Sequence, residues 1–201
     1  MAADQTAIAN LALGYLGQTP IVNIDDETKN ARAAKRAFVP CRDALLREYP
    51  TFNFADETVQ RSASAVDANV YRWAYRALLP VDCIAVRDVN RLSPEQWERR
   101  GRYLYTNQAP PLYLRYARRI DDTTLFDPLF DEALATKIAE AIAVSVTGKP
   151  SEATRMAQRL DDLMPKAKKS DARESRAGER PPTSWELARR GQWRPPYGRA
   201  Y

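Results

Sequence analysis

The sequence predicts an α+β fold that is mainly α: a four-helix bundle with a small antiparallel β insertion between helices 2 and 3, and an extended C-terminal arm. Four segments carry apolar residues at helical spacing. Short segments rich in β-branched and aromatic residues separate the second helix from the third, and the apolar period ends near residue 170. We therefore expect residues 1–69 and 121–169 to form the bundle, residues 70–120 the insertion and residues 170–201 the arm.

The first two helices have recognisable ends. Apolar residues at helical spacing predict helix 1 from residue 4 or 5 to residue 16, and Gly17 is placed to close it in the left-handed conformation. Thr28 is the expected N-cap of helix 2, which is predicted to run to about Tyr49. Because proline lacks the backbone donor and collides with the preceding turn, Pro40 is expected to kink or split helix 2.

The last two helices are delimited by similar signals. Asp127 is the expected N-cap of helix 3, with Pro128 in its first turn and Gly148 as its C-terminal stop. This helix has the strongest apolar repeat in the chain. Ser151 is expected to cap helix 4, and Pro165 to bend or end it.

The insertion is predicted from alternating side chains. Residues 50–69 are polar and are expected to be irregular, whereas residues 70–120 contain short strand-like segments. Leu112, Leu114 and Tyr116 alternate with polar neighbours, which is typical of a half-buried strand. Residues 96–101 are interpreted as a polar turn or short helix between strands.

The charge is placed unevenly along the chain. Residues 166–201 hold ten Lys and Arg against four acids, a net charge of +6. Residues 1–165 hold 21 bases and 22 acids, a net charge of −1. We therefore expect a nearly neutral body and a cationic arm.

Composition argues against most enzymatic sites. The chain has no histidine, which removes Ser–His and Cys–His pairs and most zinc sites. It shows no phosphate-binding glycine motif, and no catalytic, cofactor-binding or metal site is predicted. With two cysteines a disulfide framework is not expected, and a reducing compartment fits. No apolar run approaches the roughly 18 residues of a membrane span, and the N-terminus is not expected to be a signal peptide.

Two chemically suggestive features are interpreted as structural. Asp25–Glu27 are read as a turn and helix N-terminal acids that meet the helix dipole, rather than as a metal site. Cys41 lies on the apolar stripe of helix 2 and is read as a small core residue rather than a nucleophile.

The order of several motifs resembles bacteriophage head-to-tail connector and adaptor proteins, in particular the tail tubular protein A group of short-tailed phages. The resemblance covers residues 8–165. The opening motifs that carry it are Asn10–Gly17, Asp25–Glu27, Arg42–Leu46, and Pro50 with Phe54–Ala55. The middle of the chain carries it through YRALLPVDCIAVRDV and the stretch from GRYLYTN to AVSVTG. Thr51, where that family usually has Trp, and Pro40 depart from the pattern.

The resemblance implies a structural virion protein that forms a homo-oligomeric ring, typically of twelve copies, under the portal of the capsid. Such a ring continues the DNA channel and offers a platform to the tail nozzle. Its implied partners are the portal protein, the tail nozzle protein and genomic DNA that passes without sequence-specific binding; no membrane is involved. The implied location is the neck or tail of the virion, after assembly in the host cytoplasm.

The arm is the expected portal-binding segment. Four aromatic residues interleaved with arginine in a stretch predicted to be disordered suggest anchors for a partner. The predicted portal-binding residues are Trp185, Arg189, Arg190, Trp193, Arg194, Tyr197, Arg199 and Tyr201. The arm could instead fold back on its own domain, bind nucleic acid, or serve as an inert solubilising tail. The nucleic-acid alternative defines the rival function, an accessory protein that uses the arginine and aromatic residues of the tail.

The β insertion supplies a second predicted surface, nozzle-facing or channel-lining. Its candidate residues are Arg99, Arg100, Arg102, Tyr103, Tyr105, Arg115, Arg118 and Arg119. The alternative is an ordinary solvated sheet face. Ring closure would require a heterologous interface, in which one surface meets a different surface of the neighbour.

Overall fold

The structure, a computed structural model, describes residues 4–49, 52–66 and 72–174, with the side chains of the last helix described as far as residue 170. Four α-helices span α1 Gln5–Tyr15, α2 Lys29–Glu48, α3 Pro128–Thr147 and α4 Pro150–Glu174. Seven strands lie between α2 and α3: β1 Asp56–Arg61, β2 Ser64–Ala65, β3 Tyr75–Leu78, β4 Cys83–Val89, β5 Trp97–Arg100, β6 Tyr103–Thr106 and β7 Leu112–Arg118.

The ends of α1 and the start of α2 follow from local sequence. The Asp4 side chain accepts a hydrogen bond from the Ala7 amide at the start of α1. Gly17 has φ +64°, and the amide of the next residue, Gln18, donates to the Leu13 carbonyl at 2.9 Å, which closes the helix as a Schellman motif. Thr28 caps α2 by accepting from the Ala31 amide at 3.2 Å. These caps confirm the predicted ends.

Pro40 lies inside α2, and the helix continues past it to Glu48. The expectation that proline could split this helix is therefore wrong. Phe38 and Cys41 on either side are buried in the helical core. Their packing offsets a proline cost of about 3 kcal/mol.

α3 begins and ends as its sequence predicts. Asp127 accepts from the Leu129 amide at 2.8 Å, Pro128 is the first helical residue, and Gly148 has φ +73°. α4, by contrast, begins at Pro150, so the predicted cap at Ser151 is wrong. It passes through Pro165 to Glu174, five residues into the segment predicted as arm. Leu163, Met164 and Ala167 around that proline are buried, so core packing outweighs the missing hydrogen bond.

The prediction of a four-helix bundle with a small β insertion is wrong. α1, α2 and α4 each pack against α3, which is the central helix. α3 buries residues around most of its circumference, among them Phe130, Leu134, Ile138 and Ile142. A helix that is apolar on nearly all sides takes the centre of an assembly instead of one corner of a bundle. The β strands form two sheets with a core of their own, so they are not a small insertion.

Both sheets are antiparallel. One has the strand order β1-β7-β4 and the other β2-β3-β6-β5. Their inner faces share a second hydrophobic core, which contains Leu112, Leu114 and Tyr116 of β7 and Ala77 and Leu104 of the other sheet. The predicted alternation in β7 is confirmed, because Tyr113 and Arg115 are exposed while their neighbours are buried.

Two segments predicted to be irregular are strands. β1 and β2 lie within residues 50–69, and β5 lies within residues 96–101, preceded by a 3₁₀ turn at Pro94–Gln96. β1 is an edge strand with the polar sequence DETVQR, which an edge permits because one side is open to water. Asp56 at its start pairs with Arg87 and Arg115. Strand pairing, not local apolar period, determines these two segments.

Candidate interaction surface

Positive charge is concentrated around the two sheets. The β region, defined as residues 52–66 and 72–119, holds eleven arginines, no lysine and six acids, a net charge of +5. The helical region, residues 4–49 and 120–170, holds thirteen bases and fifteen acids, a net charge of −2. The small net charge of the body therefore reflects cancellation, and the arm is not the only basic part of the chain.

Three arginines of the predicted nozzle-facing or channel-lining set are paired with carboxylates near the three-stranded sheet. Arg115 Nε donates to Asp56 Oδ2 at 2.7 Å. Arg118 Nη1 lies 3.4 Å from Glu57 Oε2. Arg119 Nη2 lies 2.7 Å from Asp43 Oδ2 on α2. These three side chains hold parts of the fold together, and their charge is largely compensated.

Arg99 connects the two sheets. Its Nη1 donates to the Ile84 carbonyl at 2.7 Å, and Nη2 donates to the Cys83 carbonyl at 3.4 Å. Arg99 lies on β5 of the four-stranded sheet, whereas both carbonyls belong to β4 of the other sheet. Arg99, a member of the predicted surface set, therefore has a structural role. The open edge of β4 receives donors from a side chain instead of from another strand.

The rest of the set gathers on the outer face of the four-stranded sheet. Arg100, Tyr103 and Tyr105 all point away from the inner core, because Leu104 between the two tyrosines is buried. Arg102 is exposed in the turn that joins β5 to β6. The structure thus separates the predicted set into a paired group, one structural arginine and one outward-facing group.

Sequence reasoning missed two members of this outward group. Arg76 and Leu78 lie on β3, directly opposite Tyr105 and Tyr103 respectively. Ala77 is buried, whereas its neighbours Arg76 and Leu78 are exposed. Their spacing of two residues was the available signal, because residues two apart on a strand lie on the same face. We call the surface formed by Arg76, Leu78, Arg100, Tyr103 and Tyr105 the Tyr/Arg face.

Cation–π contacts order the side chains of the Tyr/Arg face. The Arg76 guanidinium lies 5.2 Å from the centroid of the Tyr103 ring, and the Arg100 guanidinium lies 5.5 Å from that of Tyr105. Glu98 receives hydrogen bonds from Arg100 and from the Trp73 indole, and these lower the pKa of Glu98 to about 2. Glu98 therefore stays ionised at neutral pH and compensates the charge of Arg100. Arg76, by contrast, contacts the Tyr103 ring.

The predicted portal-binding residues Trp185, Arg189, Arg190, Trp193, Arg194, Tyr197, Arg199 and Tyr201 lie outside the described residues. Their role stays a prediction.

Cys41 is buried in the helical core, as predicted, and Asp25 and Glu27 of the early turn form ion pairs. Burial raises the pKa of the Cys41 thiol to about 11, so the thiol is protonated near neutral pH. Asp25 pairs with Lys35 at 2.8 Å, and Glu27 lies 3.8 Å from Arg32. Within the described ranges, no group of three or more Cys, Asp or Glu side chains could hold a metal ion. In the same ranges, no helix combines the length and apolar composition that crossing a membrane requires.

Asp131 is a half-buried acid on the first turn of α3 whose Oδ1 has no hydrogen-bond partner among the described residues. Burial, followed by the nearby Asp127 carboxylate, raises the pKa of Asp131 to about 6. Between about pH 4 and 6 the unfolded chain releases this proton while the folded chain keeps it, so the free energy of unfolding falls as pH rises. After allowance for solvent screening, we expect a loss on the order of 1–2 kcal/mol by pH 7.

An Asp131→Asn variant is therefore expected to be more stable than the wild type at pH 7.5 and to lose this part of the pH dependence. Urea unfolding of both proteins at pH 4.5 and 7.5 would measure the difference. An unchanged pH dependence in the variant would show that Asp131 is not its source.

Comparison with known proteins assigns no family to the chain: no family model matches it, and no curated protein matches it. The likeness of residues 8–165 to phage connectors therefore stays a prediction from motifs and their order.

Proposed function

We propose that this chain is a structural virion protein, a ring-forming head-to-tail adaptor that joins the portal to the tail nozzle and continues the DNA channel. In this proposal it is not an enzyme. The C-terminal arm docks on the portal, and the β region faces the tail or the channel. The observation that carries the proposal is the Tyr/Arg face, a set of hot-spot residue types exposed on an ordered sheet.

Two further features support an adaptor. The β and helical regions carry separate cores and net charges of +5 and −2, so one chain presents two chemically different surfaces. Ring closure uses such a pair, because one surface must meet a different surface of the next copy. The β region is basic and the helical region is weakly acidic, so opposite charges are available for that contact.

Removal of residues 175–201 tests the role of the arm, since this cut keeps α4 whole. The truncated protein is expected to unfold at the same temperature as the full chain and to lose binding to purified portal rings by at least about 100-fold, because a ring of linked arms binds through effective concentration. Sedimentation and negative-stain imaging with portal rings would measure the loss. A full-length variant with Trp185 and Trp193 replaced by serine should show most of it.

The outcomes of this experiment differ by hypothesis. Unimpaired portal binding by the truncated protein would contradict the docking role of the arm. A truncated protein that fails to fold would indicate that the arm packs on its own domain.

The alternative is a nucleic-acid-binding accessory protein that uses the arginine and aromatic residues of the tail. One observation favours nucleic-acid binding, the net charge of +5 on the β region. Tight binding to duplex DNA at about 0.15 M salt, with a steep dependence on salt concentration, would support this alternative over the adaptor.

A further inference from the structure

We propose that the Tyr/Arg face is the docking surface for the tail-side protein partner, and that this partner presents an apolar centre with carboxylates at its rim. This inference rests on the proposed adaptor function and specifies which part of the β region makes the contact. It excludes most of the residues that sequence alone would assign to that surface.

One end of the face, where β3 ends and β6 begins, is apolar and open. Leu78 and Tyr103 are directly opposed on neighbouring strands, and their exposed fractions are 50% and 39%. Directly opposed side chains in a sheet lie within about 5.5 Å of each other at Cβ, so these two form one continuous patch. Val81, 87% exposed in the loop after β3, is a further exposed apolar residue next to this strand. The inner face of the same sheet is covered by the second core. The patch lies on the outer face, where its exposed fractions show that no other described residue covers it.

Arg76 and Arg100 flank the apolar pair, and Arg76 favours a partner that carries carboxylates. Arg76 and Arg100 stack on the two tyrosines, so each guanidinium is held in place before a partner arrives. Arg100 already has Glu98 as its counter-ion. Arg76 has a ring contact, and a partner carboxylate would complete its pairing by a charge-assisted hydrogen bond.

The composition of the face favours a protein partner over nucleic acid. Protein interfaces are enriched in tyrosine and arginine and depleted in lysine. Arginine is the only basic residue type in the β region as defined above. The exposed Leu78 side chain has no donor or charge with which to bind a phosphate backbone. Glu98, ionised at neutral pH, lies opposite Tyr105 on the edge strand β5 of the same face and would repel phosphates.

The outer face of the three-stranded sheet lacks this combination. Tyr113 is 53% exposed, but its register partner on β1 is Gln60. A groove of about 780 Å³ adjoins it, lined by Asp88, Arg91 and Arg115 among others. Because Arg115 is already paired with Asp56, and Tyr113 is opposed on β1 by the polar Gln60 instead of by an apolar side chain, this surface serves as the matched control.

The test compares serine substitutions in the full-length protein. Leu78→Ser and Tyr103→Ser change the Tyr/Arg face, whereas Leu125→Ser and Tyr113→Ser change residues of the same types elsewhere that are at least about as exposed. Complexes of each variant with portal rings would be titrated with the purified nozzle protein of the same virus. We expect each face variant to weaken nozzle binding at least about tenfold, as hot-spot truncations do, and each control to stay within about twofold.

Arg76→Gln adds a test of the charge. It is a surface change that leaves both cores intact, and it should weaken nozzle binding and reduce the salt dependence of binding. It also keeps the inference testable if a serine variant folds poorly, which thermal unfolding of every variant would reveal.

The results separate this inference from the proposed function. Nozzle binding that survives Leu78→Ser, Tyr103→Ser and Arg76→Gln would overturn the inference while leaving the adaptor intact, and so would binding that is lost in Tyr113→Ser instead. If the face variants lose affinity for duplex DNA and keep the nozzle protein, the face binds nucleic acid and the inference is wrong. If the wild type binds neither portal nor nozzle, the adaptor proposal fails and the inference falls with it.

Discussion

Replacement of Phe130 by alanine is expected to lower the free energy of unfolding by about 3–5 kcal/mol, because it removes a fully buried ring and leaves a cavity. The Phe130 ring centroid lies 4.9 Å from those of Phe52, Phe54 and Phe126, in each case near an edge-to-face geometry. The cluster joins the first turn of α3 to the segments on both sides of the sheets. Domains of this kind have free energies of unfolding of about 5–15 kcal/mol, so the substitution is expected to remove a large part of the total stability.

Urea unfolding followed by circular dichroism would measure this loss. Leu125→Ala is the matched control, because Leu125 is close in sequence but 48% exposed, and its truncation should cost less than about 1 kcal/mol. Equal losses in the two variants would contradict the packing of the ring cluster.

Replacement of Arg42 by methionine is expected to cost about 2–3 kcal/mol of the free energy of unfolding. The Arg42 side chain is 2% exposed, and its guanidinium bonds Asp43 through Nε at 3.0 Å and Asp121 through Nη1 at 2.6 Å. Asp43 also pairs with Arg119, so the network links α2 to the segment that follows β7. Removing one partner of a buried ion pair costs roughly 3–5 kcal/mol, and we place this case lower because the Asp121 side chain is 82% exposed.

The same unfolding assay measures this effect, and two variants bracket it. Asp121→Asn should cost less than about 1 kcal/mol, since that carboxylate faces water. Arg42→Lys keeps the charge but loses the forked geometry, so its stability should lie between the wild type and the methionine variant. A methionine variant as stable as the wild type would show that the network contributes nothing to stability.

Signals that act over a few residues were readable in the sequence. Thr28, Asp127 and Gly148 mark helix ends by their own side-chain or backbone chemistry, and the structure places each of them there. The alternation in β7 was equally local. Such signals depend only on neighbours within about four residues, so they survive whatever the rest of the chain does.

Signals that depend on distant partners were not readable. β1 is polar and becomes a strand because β7 lies beside it, with paired residues 51 to 61 positions apart in the chain. Pro40 and Pro165 stay helical because buried neighbours outweigh the local penalty. Which three helices pack on α3 depends on the rest of the chain, although its apolar residues on nearly all sides favour a central place.

The candidate surface was predicted in part. Tyr103 and Tyr105, two residues apart on a strand, had to share a face, and they do. Strand register alone placed Arg76 and Leu78 beside them. Arg115, Arg118 and Arg119 form ion pairs with acids from other segments, so their charges are largely compensated. Residue types and their spacing pointed to a surface of tyrosine and arginine. Strand register and ion pairs determine which of these side chains can contact a partner.

The opposite signs of the β and helical regions give each copy an electric dipole. Within roughly one Debye length, about 8 Å at physiological ionic strength, a negatively charged platform would turn the sheets toward itself before any atom touches. In the proposed ring, subunits that arrive one at a time would thus bind in a common orientation.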